Sequence, residues 1–152
     1  MSEEHNERTM TITTGGRTVT ETDIVTFVNT VGLYEPAFVD MEYIKEHMPP
    51  THQKRFAPVP LIIGIGMGLL ATQLEAIKKF MEELGASGSA GLLGLSAQVM
   101  APVFVGDTLF VEAEFKVKRK TSKGHTLADF LHVVKNQQGT VVMEFTETAL
   151  LI

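Results

Sequence analysis

The stretch from Pro60 to Leu84 constrains the fold more than any other part of the sequence. Pro60 can open a helix at a position where its missing N–H costs nothing, and Gly85-Ala-Ser-Gly-Ser ends the run as an exit loop. The first half of this stretch is apolar all round. The second half is amphipathic, with Glu75, Lys78, Lys79, Glu82 and Glu83 on its polar side. A helix that is dry over one half and wet over the other is one gripped by a sheet for part of its length. One long helix over 60–84 is therefore expected.

After this helix the apolar period changes from that of a helix to that of a strand. Leu93, Leu95, Ala97 and Val99 alternate with small or polar residues, and Leu109, Val111, Ala113, Phe115 and Val117 alternate more clearly still. Two further strand patterns follow, Thr126 to Val134 and Thr140 to Leu150, set apart by turns at Lys123-Gly124 and Asn136-Gln-Gln-Gly139. Upstream, Thr11-Ile-Thr-Thr reads as a short first strand before Gly15-Gly16. Thr20-Glu-Thr-Asp23 has the form of a capping box, opening a helix in which Ile24, Phe27, Val28 and Val31 recur at helical spacing, and Gly32 ends it. Leu33 to Pro58 reads as irregular, with a helical turn near Met41 to His47 that Pro49-Pro50 breaks. Helices followed by four strands at hairpin spacing give an α+β domain with an antiparallel sheet, and the apolar helix is most easily buried by a sheet wrapped around it.

A chain of 152 residues suits one domain with a real core. Residues 1–9 read as a flexible tail and 10–152 as the single domain. A net charge of -5 argues against nucleic acid as a partner, since no basic stripe offsets it; the five basic residues of Lys116 to Lys123 read as a solvated strand face. With no cysteine the chain has no disulfide, thiolate nucleophile or Cys-ligated metal. The polar, acidic N-terminal residues do not read as a signal peptide, and the longest apolar run, Val59 to Ala71, is too short to cross a bilayer. No membrane contact and a cytoplasmic location are expected. The five histidines show no spacing that would hold a metal, and none is predicted.

Thr30-Val-Gly-Leu-Tyr-Glu-Pro-Ala-Phe-Val-Asp40 resembles the active-site segment of the MaoC-like hydratases and dehydratases, which reads Gly-Asp-x-Asn-Pro-x-His-x-Asp. Gly32, Pro36 and Asp40 keep that frame. Thr18 to Phe27 looks like the family's entry helix, and Ala101-Pro-Val-Phe-Val-Gly-Asp-Thr-Leu109 like its strand junction. The resemblance runs from about Gly16 to Leu150. It implies a hot-dog fold, water addition to or removal from acyl thioesters carried by CoA or an acyl carrier protein, no separate cofactor, and pairing with a second hot-dog subunit as homodimer or hetero-pair. The slots of the family's catalytic Asp and His, however, hold Leu33 and Phe38, neither of which can move a proton.

Glu35, between those two slots in a loop expected to be half-buried, is the remaining acid/base candidate, with Tyr34 as a hydrogen-bond donor beside it. Gly64 aligns with the family's glycine whose N–H binds the thioester carbonyl. A first-turn N–H at the positive end of a helix suits a developing oxyanion, and Gly64 with Ile65 is expected to meet the substrate. His52 and Arg55, after Pro49-Pro50, are candidates to bend over the site or to meet a CoA phosphate. Asp40 and Asp107 are expected to serve as a cap and a turn former. Three readings follow: a hydratase or dehydratase with an altered site, a supporting hot-dog subunit for a catalytic partner, and a hot-dog thioesterase.

Overall fold

A computed structural model describes residues 8–152 of the chain. Most of the tail expected over 1–9 lies outside the described residues, and Thr9 already belongs to the first strand. The elements in chain order are β1 (Thr9–Thr13), β2 (Arg17–Thr18), α1 (Glu21–Val31), α2 (Pro36–Val39), α3 (Met41–His47), a 3₁₀ turn (Pro50–His52), α4 (Val59–Ala71), α5 (Leu74–Glu83), β3 (Ser89–Val99), β4 (Thr108–Lys120), β5 (Thr126–Lys135) and β6 (Val141–Leu151).

The entry helix forms as its sequence dictates. Thr20 Oγ1 accepts the Asp23 N–H at 3.1 Å while Asp23 Oδ2 accepts the Thr20 N–H at 2.8 Å, which closes the capping box. Arg17 adds an ion pair to Asp23 at 2.7 Å. Burial alone would raise the Asp23 pKa, but the Thr20 and Arg17 hydrogen bonds and the guanidinium charge together hold it below the ordinary aspartate value. Gly32 ends the helix in the left-handed region at φ 71, a conformation that side chains with a Cβ resist. Asp40 caps α3 by accepting the Glu42 and Tyr43 N–H groups. Asp107 holds the turn before β4 by accepting the Phe104 N–H at 2.8 Å.

The long helix expected over 60–84 is two helices bent by 72°. The break lies at Thr72 and Gln73. There the Leu69 carbonyl accepts both the N–H and the hydroxyl of Thr72, and the Leu70 carbonyl accepts the Gln73 N–H. Bonds to the carbonyl three residues back, reinforced by a threonine hydroxyl, tighten the turn and stop the ladder. The dry and wet halves of the pattern are thus separate elements. No single helix among the described residues is long and apolar enough to cross a membrane.

The strands form one antiparallel sheet in the order β1-β4-β5-β6-β3, with β2 on the start of β4. The sequence reading of four strands in hairpin succession needs one correction. β3 does not pair with β4; it pairs with β6 at the far edge, so residues 100–107 cross from one side of the sheet to the other. Val111, Ala113 and Phe115 of β4, Phe130 and Val134 of β5, and Met143 and Phe145 of β6 make the inner face, on which α4 and α5 lie. Phe80 of α5 meets Phe115 edge to face at 6.4 Å, and Phe115 meets Phe130 at 4.3 Å.

Gly66 sets how closely α4 approaches. A Cβ there would stand 2.8 Å from Phe145 Cε1, closer than atoms pack. Gly64 and Gly68, on the other side of the helix, have nothing within 4 Å of such a Cβ. At the sheet edge, every residue of β3 is exposed, including Leu92, Leu93, Leu95 and Val99. A solitary exposed apolar residue is ordinary, but an apolar edge strand with an unpaired backbone is a surface built to be covered.

Candidate functional site

The crossing segment, the start of α4 and the end of β3 enclose an apolar cleft of ≈ 390 Å³. Phe38 and Phe56, packed edge to face at 5.2 Å, form one wall. Val59 and Ile62 come from α4, Val99 from the end of β3 and Met100 from the start of the crossing segment. His52 is the one titratable side chain on the lining. Its Nδ1 faces the Thr51 hydroxyl at 2.7 Å and its ring stands edge to face against Phe104 at 5.5 Å. Such a lining can desolvate and hold a hydrocarbon chain; it contains no carboxylate to act as an acid or a base.

The residues singled out from sequence fare unequally. Phe38 and His52 line the cleft. Leu33 is half-buried beside the Gly32 turn. Glu35 is exposed at the N-cap of α2, without a side-chain capping bond, so the half-buried loop expected around it does not form. Tyr34 is 61% exposed and points no group into the cleft lining. Arg55 is engaged within the fold. Its Nε pairs with Glu21 at 2.6 Å, its Nη1 donates to the Phe38 carbonyl, and its own carbonyl accepts the Val105 N–H at 3.0 Å. It clamps α1, α2 and the crossing segment into a rim for the cleft.

Gly64 is the sixth residue of α4, not a member of its first turn, because the helix begins at Val59. The ladder has started by then: Ile62 donates to the Pro58 carbonyl at 3.2 Å, and beyond that point each N–H reaches the carbonyl four residues back. Ile65 is buried in the core. In the first turn Leu61 also donates to Pro58 and Pro60 has no N–H. This leaves Val59, on the cleft lining, as the first-turn residue whose N–H makes no backbone hydrogen bond among the described residues.

Sequence reasoning missed one pair altogether. His132 of β5 and Glu147 of β6 lie on the inner face of the sheet, 0% and 9% exposed, with Nε2 and Oε2 at 3.6 Å. The signal was available in the strand phase. Met143, Phe145, Glu147, Ala149 and Leu151 alternate on one face, and Glu147 is the polar member of an apolar register.

The family model for the FAS1-like, dehydratase domain region matches residues 7–145. Among solved structures, the chain is similar to the monoamine oxidase regulatory protein from Archaeoglobus fulgius, at 27% identity over 93% of this chain and 88% of that one, with a TM-score of 0.76. It also superposes on the C-terminally truncated HadBC (3R-hydroxyacyl-ACP dehydratase) complex from Mycobacterium tuberculosis, at 19% identity, 94% and 96% coverage and a TM-score of 0.70. A MaoC-like dehydratase from Rhodospirillum rubrum gives 20% identity, 94% and 90% coverage and a TM-score of 0.67. Likeness at the identities of these last two speaks for the fold. Among curated proteins none matches the chain.

Proposed function

Because the chain belongs to the FAS1-like dehydratase-region family and has the hot-dog fold of the MaoC-like dehydratases, we propose that it is a hydratase/dehydratase-type protein that binds acyl thioesters in the cleft at the start of α4. The observation that carries this reading is the apolar lining beside a helix N-terminus. The acyl chain lies between Phe38, Ile62 and Val99, and the thioester carbonyl meets the Val59 N–H, where the helix dipole favours negative charge. CoA or a carrier protein enters as part of the ligand, with no separate cofactor.

In this reading the family's Asp and His slots, Leu33 and Phe38, contribute shape and not proton transfer. That favours the supporting-subunit form of the function, in which a second hot-dog chain brings the acid and the base. The uncovered β3 supports it too, since Val99 and Met100 belong both to this edge and to the cleft. A partner seated on β3 would close the cleft on that side. Light scattering at micromolar concentration is expected to give a dimer; a strict monomer contradicts the pairing.

Titration calorimetry with butyryl-, octanoyl- and decanoyl-CoA tests the binding itself. Affinity should rise with chain length, each buried methylene adding up to about 0.8 kcal/mol, and free CoA should bind weakly. Equal affinity for all acyl lengths would remove the cleft as the acyl site.

A further inference from the structure

Outside the cleft, the pair His132 and Glu147 is the feature of the core that packing alone does not explain. The His132 ring lies flat on Phe145 at 4.1 Å and 11°. Its Nδ1 sits 3.0 Å from the Phe130 carbonyl. A carbonyl can only accept, so the proton belongs on Nδ1 and Nε2 is left as an acceptor. That Nε2 is fully buried and has no hydrogen-bond partner among the described residues. The nearest polar atom across from it is Glu147 Oε2, and 3.6 Å is too far for a hydrogen bond. Orphaned buried polar atoms are rare enough in folded chains to call for an occupant.

The register shows where that occupant enters. Glu147 stands directly opposite Leu95 of β3, Phe145 opposite Ala97 and Met143 opposite Val99. Leu95, Ala97 and Val99 therefore share the inner face with the pair, and all three are exposed. Val99 is also part of the cleft lining. An uncovered apolar strip thus leads from the cleft along β3 to Glu147, whose side chain keeps 12% of its surface exposed. Val99 and Leu95 are about 13 Å apart along the strand. That is the span of about ten carbons of an extended chain, given C–C bonds of about 1.5 Å.

We propose that His132 and Glu147 form a polar subsite for a hydroxyl group carried far along an acyl chain, reached from the cleft by the strip Val99, Ala97 and Leu95. The inference rests on the acyl-thioester reading of the cleft. A hydroxyl matches the pair because its one proton can go to Nε2 while its oxygen accepts from the protonated Glu147 carboxyl. Burial raises the Glu147 pKa and lowers that of His132 against the opposing pull of the Phe130 carbonyl at Nδ1, which shifts both groups toward their uncharged forms. An uncharged alcohol is therefore the matching chemistry. A bare hydrocarbon terminus would leave Nε2 unsatisfied.

The test compares dodecanoyl-CoA with 12-hydroxydodecanoyl-CoA on the full chain, by calorimetry. The wild-type chain is expected to prefer the hydroxylated probe by about fivefold, the size of one added hydrogen bond. In the double variant His132→Phe, Glu147→Leu the preference should reverse. If both probes bind and the ratio is the same in wild type and variant, the subsite is overturned and the cleft reading stands. If neither probe binds the wild-type chain, the cleft reading falls and the subsite with it. Should the double variant fail to fold, Leu95→Trp blocks the strip from the exposed side. It should weaken both twelve-carbon probes at least fivefold and leave butyryl-CoA unchanged; undiminished binding of the long probes would overturn the proposal.

Discussion

The cleft at the start of α4 and the inner face of the sheet beneath β3 have exchanged the characters usual for a pocket and a core. The cleft, open to ligand, is lined by aromatic and aliphatic side chains with His52 as its one titratable group. The inner face of the sheet, under α4 and α5 but open along β3, holds a histidine and a glutamate that do not satisfy each other. An apolar cleft suits binding and leaves proton transfer to something else. A polar pair in a core costs stability unless a ligand or a water completes it. In this chain strand phase locates titratable residues that motif position does not.

The strongest way to break the comparison is to give the cleft back its polarity. The double substitution Leu33→Asp, Phe38→His would place the MaoC-type pair in the slots the resemblance assigns. Hydration of crotonyl-CoA, followed as loss of enoyl absorbance, should rise by about a hundredfold or more over wild type, the lower range of general acid–base catalysis. A folded double variant with no gain would mean that the thioester does not sit against Phe38.

Two glycine substitutions sharpen the contrast between the packed and open sides of α4. Gly66→Ala drives a methyl into the Phe145 ring and should lower stability by about 1–3 kcal/mol, as overpacking does. Gly64→Ala meets nothing within 4 Å and should gain up to about 1 kcal/mol of helix propensity. Urea midpoints measure both. A destabilising Gly64→Ala would show that another surface lies against that face in solution.

Smaller effects are expected from pH. The raised pKa of Glu147 means that the folded chain keeps this proton above 4.5, where the unfolded chain has released it. Its contribution to stability is then present at low pH and declines as pH rises through the raised value. His132 acts in the opposite sense, because its lowered pKa lets the unfolded chain protonate first as pH falls below 6.5. Glu147→Leu should therefore gain on wild type most at about pH 8, and His132→Phe most at about pH 5, in thermal midpoints. Differences that do not vary with pH would mean that neither group is desolvated as described. The smallest effect is expected from Glu35→Gln. Acyl-CoA affinity should not change, since Glu35 is exposed and off the cleft lining. Crotonyl-CoA turnover that falls in this variant would instead place Glu35 at the reacting carbons.

Much of the fold was legible because local signals and burial agree. The Thr20 to Asp23 box, the Gly32 stop, the Asp40 cap and the alternation of β4 each specify one conformation, and each forms. The bend at Thr72 was not legible, because it turns on a competition between carbonyl acceptors that composition does not rank. Nor was the pairing of β3, since apolar alternation fixes which face a residue takes and not which neighbour its strand finds. In the candidate site, Phe38 came from the motif frame and His52 from its place after Pro49-Pro50, and both line the cleft. The motif frame puts Gly64 in the first turn because it carries residue order and not helix phase, and nothing in the order of residues after Pro49-Pro50 shows that Arg55 pairs with Glu21. Glu147 was overlooked because the apolar members of its strand were read and the exception was not.

The two edges of the sheet are unlike. β1 is a five-residue strand in which threonine holds every other position, while β3 runs eleven residues with apolar side chains on both faces. A sheet with one adhesive edge can add a second copy of itself there, and the product then presents only its short, polar edges. Pairing through this edge, tested by the light scattering above, would close at two with no means of growing into a filament.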